Sequence, residues 1–390
     1  MPLSPSPLQA FSPLRIAVAG FAALAVAMGI GRFSFTPILP MMQDDYAVSI
    51  GLGSWLASSN YIGYLLGALA GMLWPMRGRP VLVMSMLAVG LSTFAMGLSS
   101  DPRVWLLLRF AAGTASALMF IAVSTRCLSA LAEAGRTRLA GLVYAGVGGG
   151  IAATGLLCLA LMEGGSGSDW AWRICGLFSL LAALFVLPVL GRMALPAATT
   201  VTDPGTTFGD GALRLVTCYG IAGFGYIIPA TFLPVMAKAV VPDAALFGWS
   251  WPVFGVAALV STLVAAALAQ RLGHCRVWML SHVLMAAGVA LPALFGGLAA
   301  IILSALLVGG TFVVTTLASL QVAREATRGD ATRLVAAMTA AFALGQIIGP
   351  LAAGVLFDAG HGFDAVLMLA AVMLAFTVPL LHEPGAGKVA

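Results

Sequence analysis

Long apolar runs alternate with short polar or Gly/Pro breaks along the whole 390-residue chain. The runs lie near 14–40, 50–74, 80–99, 103–128, 139–162, 171–191, 212–237, 245–269, 276–296, 298–321, 332–357 and 363–381. Each is about as long as the ~20 residues an α-helix needs to cross a bilayer. The pattern therefore predicts an all-α membrane protein of twelve transmembrane helices. The division at Gly296-Gly297 is the shortest break in the series. A polar stretch at 192–211 splits the series into six and six, and predicts a linker between two bundles, 14–191 and 212–382. Residues 1–13 and 383–390 are left as tails.

Composition agrees with the pattern. The chain is 61% hydrophobic and 8% charged, with a mean hydropathy of +1.04; soluble domains carry about 25% charged residues. Charge placement then orients the helices. With both termini cytoplasmic, fourteen basic residues fall on the inner side and three, Arg103, Arg173 and Lys238, on the outer. This is the bias that positive-inside topology demands. It predicts a multi-pass protein of the bacterial inner membrane. Basic residues scattered singly or in pairs exclude a nucleic-acid surface. Five cysteines without a C-x-x-C exclude a disulfide framework or thiolate metal site.

The two halves repeat. Gly29-x-Gly31 followed by Leu39-Pro40-x-Met42 recurs as Gly223-x-Gly225 followed by Leu233-Pro234-x-Met236, at an offset of 194. Trp55 matches Trp249 at the same offset, and Gly78 matches Gly273 one residue out of step. Two halves in the same orientation, each with an even number of spans, define a parallel repeat, an arrangement used by many secondary transporters.

With these motifs in place, the chain resembles the major facilitator superfamily over about 14–381. Gly71, Leu73, Gly78 and Arg79 match the loop motif between spans two and three, with Pro75 where that motif has aspartate. The second copy keeps Leu268, Ala269, Arg271 and Gly273, with Gln270 at the acidic position. Arg109-Phe-Ala-Ala-Gly113 resembles the family's span-four motif. Gly29-Ile-Gly31-Arg32-Phe33 together with Trp55, Asn60, Tyr61, Gly63 and Tyr64 resembles the YbfB/YjiJ-like branch. The resemblance implies two bundles that rock about a central site bordered by spans one and four. It assigns conformational roles to Gly71, Gly78, Arg79, Arg271 and Gly273. The missing aspartate bears on the loop's latching role, not on the fold.

Candidate chemistry starts at Arg32. A guanidinium inside a membrane helix cannot shed its charge and must face protein or water. Pro37 and Pro40 follow it, and each removes a helical donor; Pro234 repeats the second. Freed carbonyls at that depth are tolerated where they line a cavity or pack inside a bundle. Arg32 lies eight residues before Pro40, and Arg109 six after Arg103, which places both in the outer half. Either they form a paired site for a carboxylate or phosphate, or one or both are capped by backbone carbonyls. All 14 acidic residues fall in loops, tails or span ends, so no carboxylate neutralises the arginines at the midplane. That favours an anionic solute. It also leaves Asp44, Asp45, Asp358 and His282 as the candidate carriers for protons, the coupling ion the resemblance implies, although the sequence does not fix that ion.

Asn60 and Tyr64 share a helix face, and Tyr226 takes Arg32's place in the second repeat. Gln346 precedes the Gly349-Pro350 break. These four complete the expected substrate site with Arg32 and Arg109. Tyr144 with Gly146, Gly148, Gly149 and Gly150 forms a small-residue face of the kind that lets helices approach closely. Thr311, Thr315 and Thr316 could line the cavity or bond back to their own helix. No catalytic constellation, phosphate-binding loop, metal-ligand spacing or cofactor signature is present. The expected activity is secondary transport of a small organic anion. Multidrug efflux through a Met-rich cavity is the alternative, and a non-transporting sensor a more distant one. No obligatory protein partner is implied.

Overall fold

A computed structural model describes residues 11–73, 78–193, 211–327 and 331–382. Among them there is no strand. The helices are α1 Pro13–Tyr46, α2 Ile50–Leu73, α3 Arg79–Met96, α4 Pro102–Glu133, α5 Ala140–Glu163 and α6 Ser168–Leu190. The second half holds α7 Ala212–Val240, α8 Ser250–Leu272, α9 His274–Phe295, α10 Gly297–Glu325, α11 Thr332–Leu356 and α12 Asp364–His382. Eleven spans are long and apolar enough to cross a membrane, and α2, 24 residues without a charge, makes the twelfth. Large apolar side chains such as Leu184 and Phe295 are about three-quarters exposed on the outside of the bundle, a surface that only hydrocarbon can solvate.

Several boundaries differ from the sequence pattern. α1 starts at Pro13, capped by Ser12, whose Oγ accepts from the Arg15 amide. It runs past the expected end at 40 to Tyr46, because Pro37 and Pro40 bend the helix without ending it. α4 and α10 also run beyond their expected ends, to Glu133 and Glu325. α9 and α10 are separate, since Gly296 and Gly297 adopt φ of 59° and 77°, a region that favours glycine. Gly78 and Gly273, the matched loop glycines, hold φ of 117° and 80°. The repeat of glycine at these two turns thus has a backbone cause. Trp74, Pro75, Met76 and Arg77, most of the 192–211 linker, and the expected tails at 1–10 and 383–390 lie outside the described residues.

Each half packs within itself, and the halves meet along α2 with α11 and α5 with α8. The outer part of α1 meets α7 as a third seam. The end of the bundle holding Tyr46, Ser168 and Lys238 is the far end; the opposite, terminal end holds the starts of α1 and α7 and the ends of α6 and α12. Among the described residues, five hydrogen bonds join the halves at the far end. Thr36 Oγ1 donates to the Ala230 carbonyl (2.6 Å), Ser58 Oγ to that of Ile347 (2.9 Å), and Tyr61 Oη lies 3.4 Å from Thr231 Oγ1. Lys238 donates to the Pro40 carbonyl (3.0 Å) and pairs with Asp44. The pairs Thr36–Ala230 and Asp44–Lys238 are each 194 residues apart, the offset of the sequence repeat. Equivalent positions of two parallel repeats meet only on the axis relating them, so α1 and α7 face each other across that axis.

The glycines of α5 have their explanation at the seam with α8. A Cβ on Gly148 would lie 2.3 Å from the Leu259 amide nitrogen, and one on Gly255 would lie 2.2 Å from that of Ala152. The helices touch backbone to backbone there. Replacing Gly255 with Val therefore drives the halves apart or strains both helices; overpacking of this kind costs ~1–3 kcal/mol. A clear drop in the detergent melting temperature of Gly255→Val, with no comparable drop for Gly310→Ala, which has open space around it, is the expected result.

Candidate substrate site

The site is built on a break in α1. The helix passes through a π turn at Ala25–Ile30 and resumes α geometry at Phe35. Pro37 has no amide hydrogen for the Phe33 carbonyl, so the Thr36 amide turns back to bond that carbonyl at 3.3 Å. The Arg32 carbonyl is thereby left without its helical donor. Arg109, from α4, supplies the replacement: Nη2 donates to the Arg32 carbonyl at 3.0 Å and Nη1 to that of Gly31 at 3.4 Å. Asn60, from α2, donates its Nδ2 to the carbonyls of Gly31 (3.1 Å) and Arg109 (2.9 Å). Ser34 Oγ takes the Ile30 carbonyl at 2.6 Å. Three helices are thus pinned together at the carbonyls exposed by the break.

Arg32 projects from this break and is 3% exposed. Its guanidinium carbon lies 4.1 Å from the Tyr64 ring centre, 5.2 Å from Tyr61 and 5.3 Å from Phe33. Aromatic faces attract a cation at such distances, which makes the buried charge tolerable. Nε and Nη2 of Arg32 have no hydrogen-bond partner. These two nitrogens form one edge of the guanidinium, and their N–H bonds run parallel. That edge is the fork a carboxylate or phosphate engages with two oxygens at once.

Across from Arg32 the second half presents rings. Phe33 meets Phe312 (6.1 Å between ring centres) and Trp251 (6.3 Å). Tyr226 stacks between Phe312 (5.3 Å) and Phe342 (5.5 Å), and its hydroxyl accepts from Gln346 Nε2. The structure therefore joins Arg32 to Tyr64 directly and groups Tyr226 with Gln346 in the facing wall. Thr311 and Thr316 bond back to Leu307 and Phe312 of their own helix, whereas Thr315 Oγ1 is buried and unpartnered, as is Trp251 Nε1.

The proton candidates are all engaged elsewhere or remote. His282 Nε2 accepts from Trp278 Nε1 at 2.7 Å, and its Nδ1 lies 2.5 Å from Thr377 Oγ1. The Thr377 hydroxyl already donates to the Leu374 carbonyl, so His282 Nδ1 must carry the hydrogen. This assigns a neutral tautomer with both nitrogens occupied. Asp45 accepts from the amide and hydroxyl of Ser168 at the start of α6, and Asp44 pairs with Lys238. Asp358 is exposed beside Gly51 at the far end.

Arg126, counted with the inner-side basic residues near the end of the expected span 103–128, is inside α4 and 2% exposed, with Nη1 donating to the Ala122 carbonyl. Gly71, Gly78 and Arg79 stand at the α2–α3 turn, and Arg271 and Gly273 at the α8–α9 turn, all at the terminal end. The second-half aromatic wall of Trp251, Phe312 and Phe342 was not singled out from the sequence. Its only signal there is an aromatic residue one or two places from a helix-breaking or small residue, which is common in such chains.

Twelve helices in two parallel halves, meeting around a buried, partly unpaired arginine, define a membrane transporter of the major facilitator type. A family model described as "Uncharacterised MFS-type transporter YbfB" matches residues 24–382. The chain belongs to that family, and is accordingly a membrane-embedded transporter of a small molecule. It is 25% identical over 381 residues to the "Uncharacterized MFS-type transporter YceJ" of Bacillus subtilis (strain 168), covering 92% of this chain and 94% of that protein. A crystal structure of a variant of the nucleoside transporter NupG superimposes with a TM-score of 0.72 over 95% of this chain and 100% of the other, at 16% identity. At that identity the likeness concerns the fold alone.

Removing Arg109 leaves the buried Arg32 carbonyl unpaired, at ~1–3 kcal/mol, and removing Asn60 takes away the hydrogen bonds that tie α2 to α1 and α4. Asn60→Leu and Arg109→Met should therefore lose stability in chemical or thermal unfolding without any ligand present. An unchanged melting temperature for both would show that the break holds itself.

Proposed function

We propose that the protein is a secondary transporter carrying a small organic anion, bound through the free edge of Arg32. The observation that carries this reading is the pair of unpaired nitrogens on a guanidinium that is 3% exposed. A buried charged donor without a partner is costly, and an anion with two oxygens removes that cost. In the described residues no Asp or Glu is among the groups around Arg32, so the favourable partner comes from outside the chain. Arg109 contributes the geometry: its guanidinium fixes the backbone that carries Arg32, as does Asn60. Tyr64 lies on the guanidinium, and Tyr226 and Gln346 shape the opposite wall.

The cycle follows from the seams. The halves 14–191 and 212–382 rock about α2–α11 and α5–α8, with the loop residues Gly71, Gly78, Arg79, Arg271 and Gly273 flanking the terminal-end mouth. Pro37, Pro40 and Pro234 supply the bends in α1 and α7 where the far end parts. The excess of basic residues at the terminal end supports termini in the cytoplasm and a place in the bacterial inner membrane. The aromatic lining gives a second reading some support: a flat, apolar compound could stack where the anion's organic part would lie.

A panel of carboxylates, phosphates, organic cations and neutral amphiphiles, screened by melting temperature, separates the two. A ligand at 100 times its Kd stabilises the folded state by about 2.7 kcal/mol. Anions should raise the melting temperature of the wild type and leave Arg32→Ala unmoved. Equal shifts of both proteins by cations or neutral compounds would instead establish efflux of apolar molecules.

A further inference from the structure

We infer that the acid carried by this protein bears a second hydrogen-bond acceptor, a carbonyl-type oxygen remote from its acidic group, and that Tyr226 and Gln346 read that oxygen. The inference rests on the anion reading above and adds the class of acid. Arg32 and Tyr226 are matched positions of the two repeats, at the same offset of 194 at which Thr36 meets Ala230 across the axis. Each lies one turn before that contact, so the two approach the axis from opposite halves. Ring contacts join them. The guanidinium carbon of Arg32 is 5.3 Å from the Phe33 ring centre, Phe33 is 6.1 Å from Phe312, and Phe312 stacks on Tyr226 at 5.3 Å. A solute lying along Phe33 and Phe312 has its acid at the free edge of Arg32 and its other end at the Tyr226 hydroxyl.

That other end is rich in hydrogens and short of acceptors. The Tyr226 hydroxyl accepts from Gln346 Nε2, and among the described residues nothing accepts the hydroxyl's own hydrogen. Turning the amide round reverses the bond without changing the count. A phenol and a carboxamide hold three polar hydrogens between them, and their mutual bond uses one. Tyr226 is 2% exposed and Gln346 1%, so bulk water does not take the surplus. Trp251, against Phe33 on the same wall, has a buried Nε1 that can only donate and has no partner. A buried donor left unpaired is costly. A ketone, amide or second carboxylate oxygen at the remote end removes that cost. An alkyl group leaves the hydrogens unpaired, and an ammonium group opposes them with more hydrogens. The rings between the two poles accept a flat or apolar body, so discrimination falls on the remote oxygen.

Two matched pairs of acids test this through melting temperature: para-acetylbenzoate against para-isopropylbenzoate, and laevulinate against isocaproate. Within a pair, shape and charge are shared and only the remote ketone differs. A site built to bond a polar group of its solute rejects the analogue that lacks it. Dissociation constants from the concentration dependence of the shift should favour the ketone at least tenfold in one pair or both. In Tyr226→Phe that preference should disappear through weaker binding of the ketone, with the apolar acid bound as before. A tyrosine that serves packing alone would instead move both members of a pair together. If Tyr226→Phe fails to fold, Tyr226→Phe combined with Gln346→Leu takes its place, because removing both partners leaves neither unpaired. Equal binding of ketone and apolar acid by the wild type, or a preference that survives the substitution, overturns the inference and leaves the anion site standing. No shift by any of the four acids counts against the anion site and this inference alike.

Discussion

The structure depends on how the carbonyls of the broken first helix are satisfied. In hydrocarbon there is no water to take them up, so a proline inside a membrane helix creates an obligation for its neighbours. Here Pro37 displaces the Thr36 amide, the Arg32 carbonyl is orphaned, and Arg109 reaches across from α4 to collect it with the carbonyl of Gly31. Asn60 ties α2 into the same knot. The consequence is that one arginine is consumed in architecture so that the other can stand free. Arg32 keeps an unpaired edge because Arg109 and Asn60, and not Arg32 itself, satisfy the break.

The pseudo-symmetry of the halves is kept where they join and broken where they bind. Thr36 and Ala230, and Asp44 and Lys238, meet as equivalents across the axis. At the matched pair Arg32 and Tyr226 the halves diverge: the first presents a cation, the second an aromatic hydroxyl already paired with Gln346. A site with charge on one wall and stacked rings on the other suits a solute that has an acidic group and an organic body. Because both walls belong to different halves, closing around such a solute and rocking the halves are one motion.

Much of this was legible in the chain. Twelve apolar runs, the charge bias, the 194-residue offset and the loop glycines defined the fold class, because membrane insertion and backbone conformation are local demands on sequence. The proline-broken first helix and its arginine could be read for the same reason. So could the division of the glycines in α5 toward packing, although their partner, α8, could not be named from spacing.

What only the tertiary structure decided is which polar group answers which. Sequence spacing placed Arg32 and Arg109 at similar depth and left open whether either was capped by carbonyls; the fold directs Arg109 to the backbone and leaves one edge of Arg32 unpaired. It buried Arg126 within α4, locked His282 between Trp278 and Thr377, and brought Trp251, Phe312 and Phe342 of the second half together into one wall against Phe33 of the first. The physical reason is common to all of these. Hydrophobicity and backbone breaks are properties of a segment, whereas the direction of a side chain and the partner it finds depend on how segments far apart in the chain are turned toward one another.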